Sequence, residues 1–307
     1  MDPDTFLTVL YVMIDDFCKA FLRPETRPGP RPSLTRAEVV CLSIFGQWGC
    51  FGNERRFYRW AQRHLAGCFP GLPHLSQYNR LARRHRGAMI AFSQFLAADL
   101  EAQACLYEIL DTSGVATRDS RRRGAGWLPG QADIGKCTRL GWFEGFRLLL
   151  AVSSEGAITG FGFAPASTND RPLAETLLAV RAHPQPRLAS VGPAAQGVYL
   201  ADKGFEGALA TARWRAQYGA EVIVPPRRTA HAAWSPEWCR WFASLRQIVE
   251  TVYQKLHQLF RLDRERPHEL TGFQMRLAAK VALHNFCLWL NIHLGRAPLA
   301  FTELGPV

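Results

Sequence analysis

The chain has 307 residues, 48% of them hydrophobic and 21% charged, a balance that suits a globular protein with one large or two ordinary cores. Its 37 Lys and Arg outweigh 26 Asp and Glu, for a formal charge of +11 and a pI of about 9.6. Such an excess calls for an anionic partner, a polyanion such as nucleic acid before a membrane surface, and no stretch reaches the roughly 20 apolar residues of a spanning helix.

Five of the 37 basic residues are lysines, so Arg carries nearly all the charge. Arg suits bidentate phosphate contacts, but the bias is equally the mark of a GC-rich genome. The eight cysteines include no C-x-x-C pair, which argues against a zinc site or a disulfide scaffold and for reduced thiols in a cytoplasmic protein. Asp15, Asp16 and Lys19 interrupt the apolar run of residues 6–22, so no secretory leader is indicated.

In chain order, residues 4–22 read as a helix and the Pro-rich stretch 23–33 as a connector. Thr35 and Glu38 form a T-x-x-E capping box ahead of a second helix. A third follows Asn53 and carries Arg55, Arg56, Arg59 and Arg63. After the break at FPGLP, Ser76 is expected to cap a helix running to about 102, with Arg80, Arg83, Arg84 and Arg86 in its first half. Arg on one face suits either a groove-reading helix or a plain basic surface. Residues 1–102 thus form a helical, basic module for DNA binding, dimerisation or both.

From 105 the pattern changes. CLYEIL is a short strand ending at Asp111, followed by about thirty Arg- and Gly-rich residues that read as a long basic loop. Residues 142–152 and 157–164 form a hairpin, 170–182 a helix, GVYLA a buried strand ending at Asp202, 203–219 a turn and helix, EVIVPP a strand, and 238–262 a long helix. The order β, β, β, α, β, α, β, α implies a mixed sheet with helices on its faces. It is also the order of the ribonuclease-H-like fold, in which the first and fourth strands lie side by side. The expected domains are 1–102, a catalytic domain 103–265, and a C-terminal helix and tail, 266–307, packing on the latter.

Asp111, Asp202 and Glu250 carry the chemistry. Leu245, Val249, Val252, Leu256 and Leu259 define the buried stripe of the last helix, while Arg246, Glu250, Gln254 and His257 form a separate polar row. Glu250 therefore reaches the sheet edge from which the two aspartates emerge. Singly, Glu250 pairs as readily with Arg246, and Asp202 serves as a turn former before Lys203-Gly204. Gathered together, three carboxylates repel and need a cation, which makes Mg²⁺ or Mn²⁺, as two ions, the natural occupant.

The basic loop adds Arg118, Arg121, Arg122, Arg123, Lys136 and Arg139, placed to grip phosphates beside the first aspartate. Lys203, Arg246, Lys255 and His257 complete the candidate DNA contacts, although a plain surface histidine is the simpler reading of His257. Trp127 and Trp142 suit base stacking or ordinary packing. His284 and His293, in an apolar helix, read as core histidines.

The words ILDTSG around Asp111, GWFEGFRL at 141–148, APASTNDR at 164–171, ADKGF at 201–205 and RQIVETVYQKL at 246–256 resemble bacterial insertion-sequence transposases with a DDE domain. FRLDRERPHELTGF at 260–273 and the apolar helix 274–294 are similar to that family's C-terminal end, so the resemblance spans roughly 75–294. It implies that Asp111, Asp202 and Glu250 are the catalytic triad and metal ligands, and that Arg246 holds Glu250 or touches a phosphate. Ala243 and His257 stand where relatives often have a tyrosine and a lysine, and Leu149 where many have His. These departures fall on helix-borne DNA contacts and leave the ligands intact.

The expectation is a DNA transposase that cuts and joins double-stranded DNA at the terminal inverted repeats of its element and at a target. It works as a homodimer or larger assembly, in the bacterial cytoplasm near the nucleoid and with no membrane partner. A transposase-derived DNA-binding protein that no longer cuts, and a metal-dependent nuclease, are the rivals.

Overall fold

The computed structural model describes residues 1–26, 29, 32–118, 126, 128–183, 197–226 and 234–305. Two compact units emerge: Met1–Leu96 with Leu256–Leu262 and Glu269–Val307, and Ala97–Lys255 with Asp263–His268.

The first unit is helical. Helices α1 (Pro3–Phe21), α2 (Arg36–Phe45), α3 (Glu54–His64), α4 (Leu75–Arg84) and α5 (Arg86–Asp99) precede the long α9 (Leu270–His293). Asp2 caps α1, and the Thr35–Glu38 capping box forms with both of its reciprocal bonds. The single helix expected over 76–102 is two, broken at His85 just before Gly87, and its cap is His74 rather than Ser76.

Residues 269–307 group with these helices, while 263–268 group with the sheet-bearing unit. The physical reason is that α9 is apolar on nearly all sides and needs helical partners around it. Phe286 packs edge-on against Phe6, and the Asn285 amide donates to the Ser93 carbonyl at 3.0 Å. Buried Lys280 donates to Gln47 Oε1 and to the Phe260 carbonyl. His284 lies in this core against Phe301, whereas His293 is exposed and stacks on Trp289.

The second unit holds a six-stranded sheet: β1 (Glu108–Ala116), β2 (Asp133–Cys137), β3 (Gly141–Ser153), β4 (Ile158–Pro165), β5 (Gly197–Ala201) and β6 (Ala220–Ile223). The path is β2-β3-β1-β5-β6, and β4 also pairs with β3. On the edge of β3 turned away from β1, β2 takes residues 141–145 and β4 takes 146–152. β1 and β5 run side by side and parallel, as the ribonuclease-H-like expectation requires.

Helices α6 (Asp170–Ala182) and α7 (Ala208–Tyr218) cover one face, where Leu110, Leu149, Tyr199 and Ala201 meet Leu173, Leu178 and Trp214. Helix α8 (Pro236–Gln254), capped by Ser235, lies on the other. The Tyr253 hydroxyl shares its proton between the carbonyl oxygens of Asp111 (2.8 Å) and Leu148 (2.9 Å), fixing α8 to two strands at once.

Three differences from the expected elements bear on the site. β1 runs on through Thr112-Ser113-Gly114 to Ala116, so Asp111 lies mid-strand. β2 falls within the stretch read as loop. The last helix ends at Gln254 and continues as a π-helical turn over Lys255–Leu259, whose wider spacing breaks the register on which the polar row was counted. His257, expected at the surface, is consequently 5% exposed.

Candidate active site

The parallel register sets Leu110 opposite Ala201. Asp111 and Asp202 are the next residues on the two neighbouring strands, and the backbone at Asp202 is still extended. Since Leu110 points into the core beneath α6 and α7, alternation turns Asp111 toward α8, where Arg246 meets it, while Asp202 directly follows the end of the neighbouring β5. Two residues far apart in sequence thus meet at about the 4.8 Å spacing of adjacent strands.

The register is pinned upstream of the acids. Buried Arg181 on α6 forms an ion pair with Glu108, the first residue of β1, and donates to the Tyr199 hydroxyl and to Thr159 Oγ1 at 3.0 Å each. Glu108 and Tyr199 face each other across the β1–β5 ladder, so one guanidinium ties both strands and β4.

Asp111 is largely buried, and that burial pushes its carboxyl up to about 7. Arg246 pulls the other way, while the charges of Asp202 and Asp170 add to the rise. Arg246 Nη2 stands 3.4 Å from Asp111 Oδ1. Its buried Nε–H has no hydrogen-bond partner among the described residues, so the guanidinium keeps donor capacity in reserve. Asp202 accepts from the Gly204 N–H at 2.8 Å, which fixes it at the start of a tight turn, with Lys203 exposed beside it.

Arg246, Glu250 and Tyr253 fall within about 60° of arc on α8, at roughly 100° per residue. Tyr253 and Arg246 both address the Asp111 region, so this stripe faces the aspartates. Glu250 itself is exposed, and Arg246 turns to Asp111 rather than to Glu250. Among the described residues no three His, Cys, Asp or Glu side chains gather closely enough to hold a metal. Two members of the expected triad are therefore together, and the third lies on the adjoining helix face with its side chain in solvent.

Asp170 was read from sequence only as the start of a helix, yet it comes close to the pair. Its Oδ1 accepts from Thr112 Oγ1 at 2.6 Å and from Arg147 Nη1 at 2.8 Å. Its Oδ2 and Asp202 Oδ1 both crowd the position a Cβ would take on Gly204. The sequence signal was slight: an acid in the first turn of a helix is explained by the helix dipole alone.

Of the candidate basic residues, Arg118 is paired with Glu144 at 2.6 Å, and Arg139 with Asp263 at 2.7 Å and the Gly114 carbonyl. Lys136 is exposed and lies over the Trp142 ring, 5.7 Å from its centroid. Trp142 is 68% exposed, so it is no packing residue of the core. Arg121, Arg122, Arg123 and Trp127 lie outside the described residues. A separate cavity of about 580 Å³, lined by Val198, Leu200, Trp234, Trp238 and Leu245 among others, holds no carboxylate and is no part of the acid site.

Asp111 thus lies on β1, Asp202 directly after β5 and Glu250 on α8. A family model described as a transposase DDE domain matches residues 109–286, more than half of the chain. The chain belongs to the DDE transposase family. The matched span begins in β1 and includes Asp111, Asp202 and Glu250. No curated protein and no solved structure gives a significant match.

The donor set of this transposase fits a divalent cation. Asp111 and Asp202 supply hard carboxylate oxygens side by side, the donor type such a cation takes. Among the described residues no helix is long and apolar enough to cross a membrane.

Proposed function

We propose that this chain cuts double-stranded DNA at the terminal inverted repeats of an insertion sequence and joins the freed 3′-hydroxyl to target DNA. The observation that carries the reading is the side-by-side seating of Asp111 and Asp202. Together with Glu250, these side chains would hold Mg²⁺, with Mn²⁺ as a substitute and two ions as the expected complement. When bound, the metal would lower the pKa of water or of a 3′-hydroxyl and stabilise the leaving oxygen of an in-line displacement.

The remaining work falls to the protein. Glu250 swings its exposed side chain toward the aspartates about its own torsions, without movement of α8, which Tyr253 anchors. Arg246 loosens its long contact with Asp111 and turns its unused donors to a phosphate oxygen. Lys203 and Lys136, both exposed, contact flanking phosphates. The helical module grips duplex DNA through α3, where Arg55, Arg56, Arg59 and Arg63 are all exposed while Phe57, Tyr58 and Ala61 anchor the opposite side. Two element ends must be handled together, so the working form is a dimer or larger assembly.

The exposed position of Glu250 favours a second reading, a transposase-derived DNA-binding protein that does not cut. One assay separates the two. Oligonucleotides carrying an element end are incubated with Mg²⁺ and wild-type protein, or with the Asp111→Asn, Asp202→Asn or Glu250→Gln variant. Cleavage by wild type alone, with DNA binding retained by all four, is expected. Binding without cleavage by wild type would establish the second reading.

A further inference from the structure

An acid in the first turn of an exposed helix usually points to water and is stabilised there by the helix dipole. Asp170 does something else. Its side chain is only 15% exposed, and one oxygen bridges two strands: Thr112 on β1, next to Asp111, and Arg147 on β3. The other oxygen crowds Gly204, the residue whose N–H orients Asp202. Thr112 points to the same sheet face as Leu110, opposite to Asp111, so Asp170 approaches Asp111 from behind and Asp202 from the side of its turn.

We infer that Asp170 is a positioning residue, which sets the separation of Asp111 and Asp202 by clamping β1 through Thr112 and bracing the Asp202 turn against Gly204. The inference rests on the proposed reading of the two aspartates as the cation site. Asp170 is not itself a ligand, because Arg147 neutralises it and its Oδ1 already accepts two hydrogen bonds. Like charge close to Asp111 and Asp202 is tolerated for the same reason: the Arg147 guanidinium stands at 2.8 Å. Bare Gly204 belongs to the same device, since a methyl group there would strike both Asp170 Oδ2 and Asp202 Oδ1.

The test is Mn²⁺ binding to the full-length protein without DNA, followed by electron paramagnetic resonance, with thermal midpoints measured in parallel. Asp170→Ala should raise the Mn²⁺ half-saturation concentration about 10- to 100-fold, as losing a group that orients ligands does. Asp170→Asn should stay within roughly threefold of wild type, since its amide oxygen accepts the same two hydrogen bonds. The Mg²⁺ concentration for half-maximal cleavage should shift in parallel, with kcat largely recovered at saturating Mg²⁺. A purely structural role would lower the thermal midpoint and leave the Mn²⁺ midpoint in place, overturning the inference. So would Asn binding as weakly as Ala. If Asp170→Ala fails to fold, Thr112→Val removes one arm of the clamp and should weaken Mn²⁺ in the same direction; an unmoved midpoint there also overturns it. Wild-type protein that takes up no Mn²⁺ removes the two-aspartate site and the inference with it, whereas uptake that Asp170→Ala leaves untouched removes the inference alone.

Discussion

Arg246 reaches from one turn before Glu250 to the carboxylate of Asp111, 3.4 Å away across the gap between α8 and β1. This is the contact that most restrains the upward drift of the Asp111 carboxyl. Removing the guanidinium lifts that restraint, so Arg246→Gln should move the acidic limb of the cleavage profile to higher pH and lower the rate at pH 7 by about tenfold or more. A profile that drops uniformly without moving would mean that Arg246 acts on DNA alone.

Burial of Asp111 also predicts how cation-free stability depends on pH. Its folded pKa lies near 7, above the ordinary carboxylate value of 3.8, so between those limits the native state keeps a proton that the unfolded chain has lost. This contribution to stability is complete below the unfolded pKa and is lost as pH rises through about 7. Unfolding free energies from urea titrations in the presence of a chelator should therefore fall from pH 5 to pH 8 more steeply for wild type than for Asp111→Asn, by about 1–3 kcal/mol. Parallel pH dependence of the two proteins would refute the assignment.

Tyr253→Phe deletes one hydroxyl that serves two strand carbonyls. A loss of about 1–2 kcal/mol of stability is expected, typical of a buried hydrogen bond. Because α8 also carries Arg246 and Glu250, cleavage should fall by more than the unfolded fraction accounts for; calorimetry and a cleavage assay on one preparation test this.

The arginine face of α3 should contribute affinity without chemistry. Changing Arg55, Arg56, Arg59 and Arg63 together to Gln should flatten the plot of log K against log salt by up to about 0.9 per lost phosphate contact. Cleavage at saturating DNA should persist. An unchanged salt slope would assign DNA gripping to another surface.

Sequence periodicity carried the sheet order well, because buried strands such as GVYLA are nearly pure apolar runs and Asp202 marks a clean end. It failed where polarity and pairing part company. Thr112-Ser113-Gly114 reads as loop but is strand, held by nine consecutive pairings of β1 with β3, and DIGKC is too short and mixed to show a period. The site was legible as residue types and less so as contacts. The adjacency of Asp111 and Asp202 was legible in the strand order, whereas Arg246 turning to Asp111, the π-turn that buries His257, and Asp170 reaching between two strands depend on side-chain geometry that no spacing encodes.

The parallel pairing of β1 with β5 also governs when the two aspartates can meet. Antiparallel neighbours join through a hairpin as soon as both are synthesised, but here the chain must run out through β3, β4 and α6 before β5 can dock beside β1. Closing so long a loop is a late event in folding. A nascent or prematurely terminated polypeptide that stops short of β5 carries Asp111 yet lacks Asp202, so the aspartate pair cannot form in it.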